Sequence, residues 1–148
     1  MGAGRDAVAD LVATYAERID AGDFEGVADL LAAAEVTFEG YDDVRRGRDE
    51  VLALYNATTR RYEDGTPRTK HLVTNLIVEV DEEAGTAASR SYFTVLQAVP
   101  GELALQPIIA GRYRHRFERV DGAWRIVALH MLVDLVGDLG HHLRIDLG

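Results

Sequence analysis

The segment GRYRHRFERVDGAWRIVALHMLVDLV, Gly111 to Val136, decides the fold. In an extended chain Arg112, Arg114 and Arg116 fall on one side and Tyr113, His115 and Phe117 on the other, because successive side chains of a strand alternate. Asp121-Gly122 interrupts the alternation with the dipeptide that most readily takes the positive-φ positions of a two-residue hairpin. The segment therefore predicts two long strands folded back on each other. Moving upstream, LQPIIA lengthens the first of them, PGEL (Pro100 to Leu103) is a turn, and TAASRSYFTVLQAV is another strand. DEEAG (Asp81 to Gly85) turns again, and TKHLVTNLIVEVD opens the series. Four long strands joined by turns this short must be antiparallel neighbours.

Before Asp64 the period changes. Val8, Leu11, Val12, Tyr15 and Ile19 recur at helical spacing and make one apolar stripe. Gly22 ends that helix and Asp23 caps a second, carried by Phe24, Val27, Leu30 and Leu31. AEVTFEGY alternates like a short strand. DDVRRG reads as a charged turn ended by Gly47. Val51, Leu54, Tyr55, Thr58 and Tyr62 mark a third helix. Helices followed by an antiparallel series is the α+β pattern. The expected architecture is a cone: a strongly curved antiparallel sheet with three N-terminal helices on its concave face, in a single domain spanning 1–148. The inside of a cone is a natural pocket for a small molecule.

The 148 residues carry 16 Lys and Arg against 25 Asp and Glu, a net charge of −9. That balance argues against nucleic acid or an anionic membrane as partner. The chain has no cysteine, which excludes thiol nucleophiles, disulfides and thiolate metal sites. The N-terminus lacks the apolar core of a secretion signal, and cytoplasmic residence is the default expectation. GxSxG, GxxxxGK[ST], GxGxxG and HExxH are absent, which disfavours serine hydrolases, nucleotide-dependent enzymes and zincins. No cofactor and no metal site is expected. His130 and Asp134 lie about 13 Å apart along a strand, and His141-His142, expected to be exposed, point opposite ways on an extended chain.

The stretches YAERIDAGDFEGVADLL, RTKHLVTN and GRYRHRFERVDGAWRIVALHMLVDLV resemble the nuclear-transport-factor-2-like superfamily, in its SnoaL-like, scytalone-dehydratase-like branch. The resemblance covers nearly the whole chain. It implies the cone fold and a pocket, and it leaves function open, because this fold hosts dehydratases, isomerases, hydrolases, cyclases and non-enzymes. Carried over residue by residue, it implies His71 as pocket histidine, Asp20 as its first-helix aspartate and Tyr41 as a pocket tyrosine. Departures are Ile19 where the branch has a tyrosine, Leu96 near a second histidine, and Tyr113 near an asparagine.

Asp20 follows Val12 and Ala16 at intervals of four, on the edge of the buried stripe, and His71 heads a strand face shared with Val73, Asn75 and Ile77. If that face looks into the cone, Asp20 orients one imidazole nitrogen and the other acts on a ligand as general base or acid. Tyr41, Tyr113 or Asn75 then supplies an oxyanion donor, and His115 is a candidate second acid–base group. Tyr15, Tyr55, Leu96, Leu129, Met131 and Val133 complete the expected pocket lining, the last three sharing a strand face with Val127. The arginine row reads as a solvated or dimer-forming sheet face. An Asp–Arg–Asp epoxide-hydrolase set would need Arg90 to point inward beside Asp20. The expected function is cofactor-independent lyase, isomerase or cyclase chemistry on an apolar, oxygenated small molecule. The alternative is a non-catalytic ligand-binding or assembly module, and a homodimer is expected in either case.

Overall fold

Three helices and six strands follow one another in the computed structural model, which describes residues 2–144. Helix α1 (Ala3–Asp20) buries Val8, Val12, Tyr15 and Ile19 of the predicted stripe, together with Ala16, while Leu11 is only half-buried. Full burial of aliphatic side chains of this size contributes about 1.5–3 kcal/mol each. Gly22 takes φ 73°, and the Asp23 carboxylate accepts from the Gly26 N–H at 2.9 Å, starting α2 (Phe24–Leu30). Strand β1 (Glu35–Phe38) follows. The predicted charged turn is instead a short strand, β2 (Val44–Arg46), paired antiparallel with β1, and Gly47 opens α3 (Gly47–Thr58) rather than ending a turn. Helix α3 stops before Tyr62: Thr58 Oγ1 donates back to the Leu54 carbonyl at 2.7 Å, and Thr59 is already extended.

The long strands are β3 (Thr69–Asp81), β4 (Thr86–Val99), β5 (Leu103–Val120) and β6 (Ala123–Val136), antiparallel neighbours as predicted. The sheet order is β2-β1-β6-β5-β4-β3, and β1 lies parallel to β6. The parallel pairing was not anticipated; it carries the chain from the helices to the sheet's far edge. Register shifts interrupt β3–β4, β4–β5 and β5–β6, and such bulges bend a sheet and raise its twist. The result is a mostly antiparallel, strongly curved sheet with the helices on its concave side.

The core lies between α1, α2 and the inner sheet face, where Val12, Val27, Val36, Phe117, Ile126 and Leu129 are essentially inaccessible. Gly111 is fixed by crowding: a Cβ there would stand 2.1 Å from the Leu132 carbonyl oxygen and under 3 Å from the Phe93 ring. On the outer face Arg112 pairs bidentately with Asp134, both bonds at 2.9 Å, and Arg114 and Arg116 are exposed. Arg90 also points outward, 3.9 Å from Glu79, so it cannot join an Asp–Arg–Asp set with Asp20. Among the described residues no helix is long and apolar enough to cross a membrane.

Candidate active site

Asp20 is the last residue of α1, where the helix dipole disfavours a carboxylate. Three donors hold it there. Thr69 Oγ1 reaches Oδ1 at 2.8 Å, the His71 backbone N–H reaches Oδ2 at 2.8 Å, and His71 Nδ1 stands 2.6 Å from Oδ1. All three come from the head of β3, just after Arg68, which takes φ 58°. Burial pushes the Asp20 pKa up, but the hydrogen bonds and charge of His71, with the Thr69 hydroxyl, outweigh it and leave the carboxyl below its ordinary value. An ionised Asp20 accepts only, so Nδ1 carries the proton and donates. Nε2, which bonds no protein group among the described residues, is left with its lone pair toward the cavity.

That cavity has a volume of about 330 Å³ and opens between the helices and the sheet. Its wall is mainly apolar: Ile19, Leu54, Phe93, Val95, Ile109 and Met131 line it beside His71. Three phenols stand among them. Tyr15 and Tyr55 share a short hydrogen bond between their hydroxyls, and the Tyr113 ring meets Tyr15 edge-on at 5.8 Å and stacks on Phe93 at 4.4 Å. Burial pushes Tyr15 up to about 12 and raises Tyr55 and Tyr113 well above the ordinary phenol value. They remain neutral donors. Glu39, Tyr41, Asp43 and Arg45 form a polar rim.

A family model, described as the SnoaL-like domain, matches residues 3–130. This chain belongs to the SnoaL-like family. No curated protein matches it at a significant level. Among solved structures it is similar to a Mycobacterium tuberculosis protein of unknown function, 28% identical with a TM-score of 0.70, over 88% of this chain and 71% of that one. A Novosphingobium aromaticivorans NTF2-like protein with a cystatin-like fold is 22% identical, TM-score 0.71, over 87% and 80%. A Streptomyces avermitilis protein of the NTF2-like family is 21% identical, TM-score 0.68, over 90% and 98%. The latter two likenesses concern the fold.

Within this SnoaL-like site the structure brings together Asp20, His71, Tyr15, Tyr55, Tyr113, Met131 and Val133, all but Asp20 in the cavity lining. Tyr41 is more than half exposed at the rim rather than a deep pocket tyrosine. Other expected members lie elsewhere. Asn75 is exposed, with φ 54°, at the β3 bulge between Thr74 and Ile77. The extra residue turns Ile77 outward and makes Leu76, Val78 and Val80 the half-buried set, so Asn75 supplies no oxyanion donor. Leu96 faces away from the cavity, since Phe93, Val95 and Gln97 take the inner side of β4. Leu129 is fully buried core outside the lining, and Val127 sits at the Arg116/Phe117 register shift. His115 also lies outside the cavity. Its ring stacks on Phe117 at 5.6 Å, neither nitrogen finds a protein partner among the described residues, and burial lowers its pKa to about 4.

The expected lining missed the apolar residues Ile19, Phe38, Leu54, Val95 and Ile109, and it missed one histidine, His142. His142, expected to be exposed, is 94% shielded, 6% remaining accessible, and its ring lies 6.0 Å from that of His71. It sits in a turn after β6 whose Leu139 and Leu143 also line the cavity. Only the spacing of those two leucines hinted at an apolar docking face. Among the described residues no group of three or more His, Asp or Glu side chains converges as metal ligands.

Proposed function

We propose that the cavity performs cofactor-independent acid–base chemistry of lyase, isomerase or cyclase type on a largely apolar, oxygenated substrate, polyketide-, steroid- or terpenoid-like in class. The observation that carries this is the 2.6 Å contact of His71 Nδ1 with Asp20, in an imidazole that lines an apolar cavity. Nε2 takes a proton from a substrate C–H next to a carbonyl, and the electron pair moves onto the carbonyl oxygen. A neutral phenol of the Tyr15, Tyr55, Tyr113 group donates to that oxyanion. In an elimination the pair returns to form C=C, the C–O bond breaks, and the imidazolium gives its proton to the departing hydroxide, so water leaves. In an isomerisation the same proton goes to another carbon. Positioned acid–base catalysis contributes about 10²–10⁴-fold, and one oxyanion donor about 10²–10³-fold.

The test is deuterium uptake from D2O into a panel of cyclic ketones of these three classes, read by mass spectrometry. Wild type exchanges at least one, and His71→Asn and Asp20→Asn lower the rate by about 10²–10⁴. Thermal stabilisation by panel members without exchange would select the second reading, a non-catalytic ligand-binding module. The displacement of Asn75, an expected oxyanion donor, from the cavity favours that reading. The same proposal includes a homodimer, because Leu72, Ile77 and Tyr92 are exposed near the arginine row of the outer sheet face. Size-exclusion chromatography at low and high salt gives a dimer in both; a concentrated monomer in both refutes it.

A further inference from the structure

We propose that His142 is a substrate-binding residue whose imidazole hydrogen-bonds an oxygen of the ligand beside the carbon on which His71 acts. The inference rests on the acid–base reading above and adds the second polar contact that the substrate must satisfy. Three observations carry it. First, the His142 ring lines the cavity and meets His71 edge-on at 6.0 Å, so one small molecule can touch both. Second, His142 is almost wholly buried, and its Nδ1 is shut off even from the cavity with no partner among the described residues, so Nε2 is the ring nitrogen left to meet a ligand oxygen. Third, the turn is pinned in place. Gln97 Nε2 donates to the His141 carbonyl at 2.9 Å, the Tyr62 hydroxyl donates to the same oxygen, and the Arg60 N–H donates to the His142 carbonyl at 2.8 Å. The Arg144 N–H closes the turn onto the Thr58 carbonyl at 2.8 Å. A turn held at four points presents its side chain in one place, as substrate recognition requires.

Burial, and after it the charge of His71, lowers the His142 pKa to about 4, against a small opposing pull from Asp20. The ring is neutral at pH 7, with one N–H and one lone pair. It therefore suits a hydroxyl or carbonyl oxygen and gives no ion pair to a carboxylate or phosphate. The substrate class narrows to uncharged molecules with an oxygen next to the reacting carbon.

The experiment compares 1-tetralone with its hydrocarbon, tetralin, in binding titrations followed by NMR on the full chain. Wild type prefers 1-tetralone by about fivefold or more, the scale of one neutral hydrogen bond. The His142 ring-nitrogen resonances move with 1-tetralone and stay with tetralin. His142→Leu abolishes the preference while keeping tetralin affinity, and His142→Gln restores part of it. A wild type without preference, or a preference intact in His142→Leu, overturns the proposal. If His142→Leu fails to fold, the wild-type ring resonances decide. Binding is read without turnover, so loss of deuterium exchange in wild type would sink the catalytic reading and leave this one standing.

Discussion

His71 and His115 stand on the inner face of the same sheet, on β3 and β5, and both rings are shut from bulk water: the His71 side chain is 7% exposed and His115 is 2% exposed. Their surroundings differ. His71 has a carboxylate at 2.6 Å, held by two further donors, and its ring opens on the cavity. His115 has aromatic rings on either side and no hydrogen bond. Burial alone disfavours the imidazolium and leaves an imidazole that is a poor base at neutral pH. Burial with an oriented carboxylate fixes the tautomer and supports the charge that proton transfer creates. Two histidines on one inner face thus divide into a chemical group and a packing group.

The sharpest way to break this comparison is catalysis. In the deuterium-exchange assay His71→Asn and Asp20→Asn lose about 10²–10⁴-fold, whereas His115→Leu stays within about twofold of wild type. A large loss in His115→Leu at unchanged melting temperature would mean that His115 reaches the substrate.

A second effect is read in stability. His115 and His142 protonate near 6.5 when unfolded and only near 4 when folded. Between those values the unfolded chain holds more protons, so acid favours unfolding. Their contribution is complete above pH 6.5 and is lost as pH falls through about 4, on the order of 3 kcal/mol per site. Asp20, whose pKa is depressed, adds a contribution that is present above its unfolded value of 3.8 and is lost as pH falls below it. Urea midpoints at pH 7, 5.5 and 4.5 should fall steadily. His115→Leu roughly halves the decline from 7 to 4.5 and stabilises the protein at pH 7, since it removes an unsatisfied buried polar group. An unchanged slope would show that His115 takes up its proton equally in the folded and unfolded chain, so that its burial carries no such cost.

How far the sequence disclosed this division depends on which physical signal each residue offered. Strict alternation in β5 and β6 around Asp121-Gly122 carried the sheet, because both faces of both strands agreed. The approach of Asp20 to His71 across 51 residues follows from a helical stripe meeting the head of a strand. His115 was placed on the inner face correctly, but facing inward is not facing a cavity: from Tyr113 to His115, two residues along β5, the open hollow gives way to solid core. Leu96 was placed by likeness to a family pattern, although the alternation of Phe93, Val95 and Gln97 already turned it outward. His142 owes its position to Gln97, Tyr62 and Arg60, and such long-range contacts leave no periodic trace.

The smallest expected effect tests the bulge that keeps His71 on the cavity side while the strand beyond changes its inward set. Asn75 takes φ 54°, a left-handed conformation that asparagine tolerates and β-branched residues resist. One extra residue there lets His71 and Val73 face inward from one end of β3 and Leu76, Val78 and Val80 from the other. The bulge is thus a fixed part of how the dyad meets the cavity. Asn75→Val costs about 1–2 kcal/mol by urea unfolding, and Asn75→Gly stays within about 0.5 kcal/mol, because glycine adopts positive φ without a Cβ clash. Equal stability of the two variants would show that the strand abandons the bulge when asked to. His71 would then be held inward by Asp20 alone, and the contrast with His115 would rest on a single pair of side chains rather than on the path of the strand.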